Sequence, residues 1–185
     1  MKQSRRLGAL LAVVAIVLGC RGAARAQGGR ISPHESTAAT VDDSVMSIEY
    51  GRPSTRGRTI FGRLVPYGDI WCPGADEATM LSTSRSLRMG QLAVPAGEYS
   101  LWILPTEEAW TLILNKDAHT FHTNHRASRD LGRVALQKRV LTSPVEQLTF
   151  AIEQNSPGPG GRIVMTWATT EVSVPFIVGE AQGVK

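Results

Sequence analysis

Short apolar runs of two-residue period, separated by turn residues, fill the chain from Val41 onward. VMSIEY (45–50) alternates and stops at Gly51-Arg52-Pro53. ATMLSTS (78–84) is rich in β-compatible residues. SLRMGQLAVPAGEYSLWILP (86–105) divides into three strands, with turns at Met89-Gly90-Gln91 and Pro95-Ala96-Gly97. AWTLILN (109–115) follows a turn at Thr106-Glu107-Glu108. GRVALQKRV (132–140), EQLTFAIE (146–153), GRIVMTWAT (161–169) and TEVSVPFIV (170–178) complete the series, with SPGPGG (156–161) as a hairpin loop. Strands at this spacing, with Gly and Pro at the joints, predict an all-β fold: a single antiparallel β-sandwich of about nine to ten strands. In GEYSLWILP, alternation puts Tyr99, Leu101 and Ile103 on one face and Ser100, Trp102 and Leu104 on the other. Both sets are largely apolar, which predicts a central strand covered on both sides.

No long stretch carries a helical period. TIFGRLV (59–65) predicts one short helical turn within a long irregular connection from Pro53 to Asp76. QGGRISPHESTAAT (27–40), rich in Gly, Ser and Thr, reads as a flexible entry segment ahead of a β-sandwich domain over 41–180.

The first 26 residues have a different character. Lys2, Arg5 and Arg6 precede an apolar run from Leu7 to Gly19, and Ala24-Arg25-Ala26 is a small-x-small cleavage pattern. This is the form of a signal peptide for the general secretory route, over 1–26. It predicts a periplasmic or cell-envelope location, with no transmembrane helix left in the mature chain. VLGC, ending at Cys20, resembles a lipobox and marks Cys20 as a candidate lipid anchor. The leader also carries the basic charge. The chain has 20 Lys and Arg against 16 Asp and Glu. Residues 1–26 hold five of the basic groups and no acid, which leaves fifteen against sixteen and a net charge of −1. Nucleic acid is therefore not an expected partner. After cleavage Cys72 is the one remaining cysteine, so no intramolecular disulfide can form.

The longest motifs lie between the second and third runs and beyond. They are Ser32-Pro33-His34, Tyr50-Gly51-Arg52-Pro53, Gly57-Arg58, Ile60-Phe61-Gly62 and Leu64-Val65-Pro66-Tyr67-Gly68. Trp71, Gly74-Ala75, Glu77-Ala78-Thr79, Pro95-Ala96-Gly97-x-Tyr99-Ser100 and Trp110-Thr111 with Asn115 follow. In these the chain resembles the bacterial family catalogued as domain of unknown function 2911 (DUF2911), over nearly the whole mature length. The resemblance implies an exported, mostly β protein and supplies no activity. Two features depart from the family's commonest pattern: Cys72-Pro73 where an arginine often follows the tryptophan, and histidines after Asn115 where many members have none. A function resting on them would belong to a subgroup.

Three groups of residues are candidates for chemistry. His119, His122 and His125 fall within seven residues in a loop-like stretch, where imidazoles could converge on zinc or copper, with the Cys72 thiolate as a further ligand. His122 is also a candidate acid/base or ligand-contacting group. The plainer reading is a solvated loop with Phe121 tucked into the core. Cys72 itself reads either as an inert thiol buried beside Trp71 or as a metal ligand, since an exposed thiol in an oxidising compartment would not persist. Arg52, Arg56, Arg58 and Arg63 could clamp a carboxylate or phosphate, or could pair with Asp69, Asp76 and Glu77. Trp102 and Trp110 read as core.

Together these give a candidate ligand-binding set of Arg52, Arg58, Trp71, Asp76, Glu77 and His122, placed where the Arg52–Glu77 connection meets the histidine loop. No catalytic residue is assigned. The leading functional reading is an exported module for an unknown small molecule. The alternatives are a metal- or histidine-assisted hydrolase using Cys72, His119, His122 and His125, and a structural envelope protein. Neither the ligand nor a cofactor is identified by sequence.

Overall fold

The structure is a computed structural model and describes residues 32–179. The leader, Cys20 and the first residues of the entry segment lie outside the described residues. Nine antiparallel strands form its framework: β1 (His34–Val41), β2 (Ser44–Gly51), β3 (Met80–Thr83), β4 (Leu87–Met89), β5 (Leu92–Val94), β6 (Gly97–Pro105), β7 (Trp110–Asn115), β8 (Asp130–Gln154) and β9 (Gly161–Val178). The one helical element among the described residues is a 3₁₀ turn at Ala127–Arg129. No described helix is long and apolar enough to cross a membrane. The strands form one hydrogen-bonded order, β1-β2-β3-β6-β7-β8-β9-β4-β5. The all-β reading holds.

Nine strands arise differently from the sequence expectation. His34–Val41, read as part of a flexible segment over 27–40, instead pairs with β2 along its whole length, from His34 opposite Gly51 to Val41 opposite Ser44. The runs 132–140 and 146–153 are one strand, β8, and 161–169 and 170–178 are one strand, β9. The gap between 132–140 and 146–153, which contains Pro144, is an irregularity inside β8, where the register with β9 shifts between Val140 and Val145 and again before Thr149. A bulge accommodates the proline, which has no N–H for the ladder, and it bends the strand. Opposite it, Ala168 takes a left-handed φ of 50° and pairs with Val145.

The bend matters because β8 has two partners in succession. From Asp130 to Leu136 it pairs with β7, and from Gln137 onward it pairs with β9. The end of β9 in turn passes to β4, with Val178 opposite Leu87. Strands that are not neighbours in the order therefore meet. Tyr50 on β2 packs edge-on against Phe150 on β8, 5.0 Å between rings, and its hydroxyl accepts the Phe150 N–H at 3.2 Å. A single apolar cluster draws side chains from all nine strands. It includes Tyr99, Leu101 and Ile103, which face it as alternation requires.

The connection from β2 to β3 is irregular but well anchored. TIFGRLV forms no helix. It is a closed loop in which Gly62 N–H donates to Val65 O at 2.9 Å and Val65 N–H donates to Ile60 O at 2.9 Å. Ile60 and Val65 are buried in the main core, and Phe61 lies against Trp71, Trp110 and Trp167. Aromatic rings in these edge-on contacts hold a loop that has no ladder of its own. Trp71 then exchanges backbone hydrogen bonds with Ile103 at 2.8 Å each, so this residue behaves as a short extra strand beside β6.

Candidate functional site

That short pairing fixes what the next residues can do. Because the backbone is extended at Trp71, successive side chains leave on opposite sides of the sheet. Trp71 turns to the main core and stacks on Trp167 at 5.9 Å. Cys72 turns to the outer face of β6 and β7, where it forms a second cluster with Ala78, Trp102 and Ile113, against Leu104. Cys72 is thus buried, at 1% exposure, but not beside Trp71 as the sequence suggested. The residues that close over it are Pro73 to Ala78. Thr79 N–H donates to the sulfur at 3.3 Å, and Thr79 Oγ1 donates to Pro73 O at 2.6 Å. Burial pushes the thiol up to about 12, and the Thr79 hydrogen bond only partly opposes it. A thiol held protonated in this way is a poor nucleophile.

The same segment sits hard on β2. A Cβ on Gly51 would lie 2.2 Å from Ala75 O, so only glycine allows the approach. Asp76 takes a left-handed φ of 66°. Its carbonyl accepts two bonds from His122, from the backbone N–H at 3.0 Å and from Nδ1 at 2.6 Å. A carbonyl can only accept, so Nδ1 carries a proton. Glu77 then bridges to Phe121, and Ala78 N–H donates to Thr120 O at 2.9 Å. The connection and the histidine loop therefore meet by backbone pairing.

The loop is shaped from beneath by Asn115, which is buried at the end of β7. Its Nδ2 donates to Arg126 O at 2.8 Å and to Asp130 Oδ1 at 2.9 Å, and its Oδ1 accepts the Asp117 N–H at 2.9 Å. Asp117 is clamped by Arg126 at 2.5 Å and Arg129 at 3.0 Å. The Arg126 hydrogen bond, more than any other contact, holds its carboxyl below the usual range.

The three histidines do not converge. His119 Nε2 meets Glu98 Oε2 at 2.9 Å. His122 is committed to Asp76. His125 Nε2 meets Asp130 Oδ1 at 2.8 Å, and its ring lies 4.9 Å from Trp102, over the small cluster that contains Cys72. Among the described residues no three His, Cys, Asp or Glu side chains are placed to hold a metal ion. Phe121, expected in the core, is 47% exposed.

Where the two segments meet there is a cleft of about 490 Å³. Its polar lining is His34, Glu49, Glu77, His119, Thr120 and Asn124, and its apolar lining is Ala78, Met80, Ala118 and Phe121. His34 Nε2 pairs with Glu77 Oε2 across it at 2.9 Å.

The remaining candidates lie elsewhere. Arg52 is a structural tie: it donates to Glu35 Oε2 at 2.6 Å, Leu148 O at 3.1 Å and Thr149 Oγ1 at 3.0 Å, joining β1, β2 and β8. Arg58 folds back onto Thr55 O and Ser54 O, at 2.9 and 2.8 Å. With Arg63 it lines a separate open groove at Gly57–Leu64. The arginines thus do not gather into one clamp. Thr55 Oγ1 and the Arg56 N–H both bind the Glu146 carboxylate on β8, and the Thr55 hydrogen bond is the main cause of its lowered pKa.

A family model described as "Protein of unknown function (DUF2911)" matches residues 32–176. The chain belongs to the DUF2911 family. The match runs from the residues just before β1 to Phe176, two residues short of the end of β9, so the cleft, the thiol cover and the histidine loop all fall inside the DUF2911 region. No curated protein and no solved structure matches the chain. Membership in DUF2911 therefore brings no activity, and the site has to be read from its own geometry.

Of the cleft residues, sequence reasoning singled out Glu77 and His119. It missed His34, Glu49, Met80 and Asn124, and it sent Phe121 to the core. His34 stood in the Ser32-Pro33-His34 motif, and Glu49 is an outward position of the alternating run in β2. Those were the available signals.

Proposed function

We propose that the protein is a small-ligand-binding module and that the cleft between the β2–β3 connection and the histidine loop is its binding site. The observation that carries this is the cleft itself. Concave sites that pair an apolar wall with a few fixed polar groups are where small molecules bind. Here Ala78, Met80, Ala118 and Phe121 supply the wall, while His34 is held by Glu77 and His119 by Glu98 on the rim. The buried, protonated Cys72 favours binding over a thiol-dependent hydrolytic role. The test is a ligand-observed NMR screen of a small-fragment library, with hits mapped on the protein by amide and imidazole shifts. Hits should perturb His34, Glu77, His119 and Phe121. A library that produces no hit at these residues would remove the reading.

On the sequence of residues 1–26 we further place the protein in the periplasm or cell envelope. The expected mature amino terminus is Gln27, after Ala24-Arg25-Ala26. Intact-mass measurement checks this. A diacylglyceryl group on Cys20 would replace it with the lipoprotein form.

A further inference from the structure

Resting on the ligand-binding reading, the geometry points to an organic ammonium ion as the ligand class: a protonated amine carried on a small apolar or aromatic body. The first observation is charge. The ionisable groups lining the cleft are Glu49, Glu77, His34 and His119, and neither lysine nor arginine is among them. Glu77 has His34 as a partner, and His119 has Glu98. Glu49 has no ion pair among the described residues and stands on the wall formed by β2. The lining thus carries two carboxylates, of which Glu77 is hydrogen-bonded to His34 and Glu49 is left facing the cleft. An anionic ligand would meet neither lysine nor arginine here, whereas an ammonium would pair with Glu49.

The second observation is the exposed ring of Phe121 at the same opening. Its neighbour His122 is tied back to Asp76, and the Glu77–Phe121 bridge fixes the backbone beneath it. A large apolar side chain held out into a cleft offers two things to an ammonium ligand: contact for its carbon body, together with Met80, and a π face for its charge. The third is register. Glu49 pairs with Met80 across β2 and β3, so carboxylate and thioether stand side by side on the outer face. Charge and apolar contact are thus supplied within one ligand's length.

The test uses the full chain as isolated from producing cells, labelled with ¹⁵N, at pH 7. Three probes of like shape are titrated: 2-phenylethylamine, 2-phenylethanol and 3-phenylpropanoate. The amine should bind about tenfold more tightly than the alcohol, the combined scale of one exposed ion pair and one exposed cation–π contact. The carboxylate should bind weakest. Glu49→Gln, an exposed and near-isosteric change, should cut the amine's preference over the alcohol to about threefold, the cation–π share, and leave the alcohol unchanged. Phe121→Ala should weaken both. The ammonium of a lysine side chain shares this chemistry, so Nα-acetyl-lysine amide is titrated beside the free amine. Tighter binding of the lysine probe assigns the source to a lysine-bearing peptide, and weaker binding assigns it to a free amine. Carboxylate binding equal to the amine, or an amine preference that Glu49→Gln leaves undiminished, overturns the ammonium inference and leaves the ligand-binding reading standing. Failure of all the probes and of the fragment screen at His34 and His119 removes both.

Discussion

The backbone N–H of Thr79 donates to the sulfur of Cys72 at 3.3 Å, closing Pro73–Ala78 over the thiol. The interaction explains how an otherwise lone cysteine can persist, and it gives a pH dependence with a defined sign. The ordinary thiol value is 9.0, and the folded one is about 12. Between these the unfolded chain loses its proton while the folded chain keeps it. Stability is therefore full below about pH 9 and falls as pH rises towards 12, by at most about 1.4 kcal/mol per unit. Urea midpoints at pH 8 and pH 10.5 should fall further in the wild type than in Cys72→Ala. The native thiol should resist reagents with and without chelator. A thiol that reacts only after chelation would instead place Cys72 in a metal site.

Leu101→Ala should cost about 2–5 kcal/mol, because Leu101 is 1% exposed in the main core at the centre of β6. Chemical denaturation measures it. A loss below about 0.5 kcal/mol is the range of surface positions and would contradict its placement.

Asn115→Ala should loosen the histidine loop. It removes both Nδ2 bonds and the acceptor for Asp117 N–H, and leaves Arg126 O to find another partner. The expected cost is about 1–3 kcal/mol. Amide exchange over residues 116–130 should accelerate more than exchange in β6. Unchanged protection there would mean that the Asp117–Arg126–Arg129 cluster holds the loop without Asn115.

Gly51→Ala should destabilise by about 1–3 kcal/mol, since its Cβ would meet Ala75 O at 2.2 Å and one of the two must move. The shift should also disturb the cleft, which Glu77 lines two residues later. Thermal unfolding and the amide shifts of Glu77 and Ala78 report it. An unaltered midpoint with unaltered shifts would show that 74–77 is not seated on β2.

The core was legible in the sequence where period two is unbroken. Tyr99, Leu101 and Ile103 are the clearest case, because alternation and burial say the same thing. β1 was hidden because HESTAAT, on the edge of the sheet, has little apolar area to signal a strand, and its pairing with β2 is what makes it one. Pro144 concealed the unity of β8, since a bulge and a turn draw on the same residues. The site was half legible for a similar reason. Composition drew attention to Glu77 and His119. Nothing local brings His34 or Glu49 beside them, because that depends on the β1–β2–β3 ladder and on the bridge from Glu77 to Phe121. Trp71 and Cys72 show the converse: neighbours in sequence, they serve opposite faces.

β8 gives its residues from Asp130 to Leu136 to β7 and those from Gln137 onward to β9. A cut between Leu136 and Gln137 would leave each half of β8 on its own partner, yet it would part β9 from β4 and Phe150 from Tyr50, so neither product would be self-sufficient. A chain opened at the loop 155–160 would keep both partnerships whole. Such a unit can be rearranged in order, but it has to be inherited, duplicated or exchanged entire.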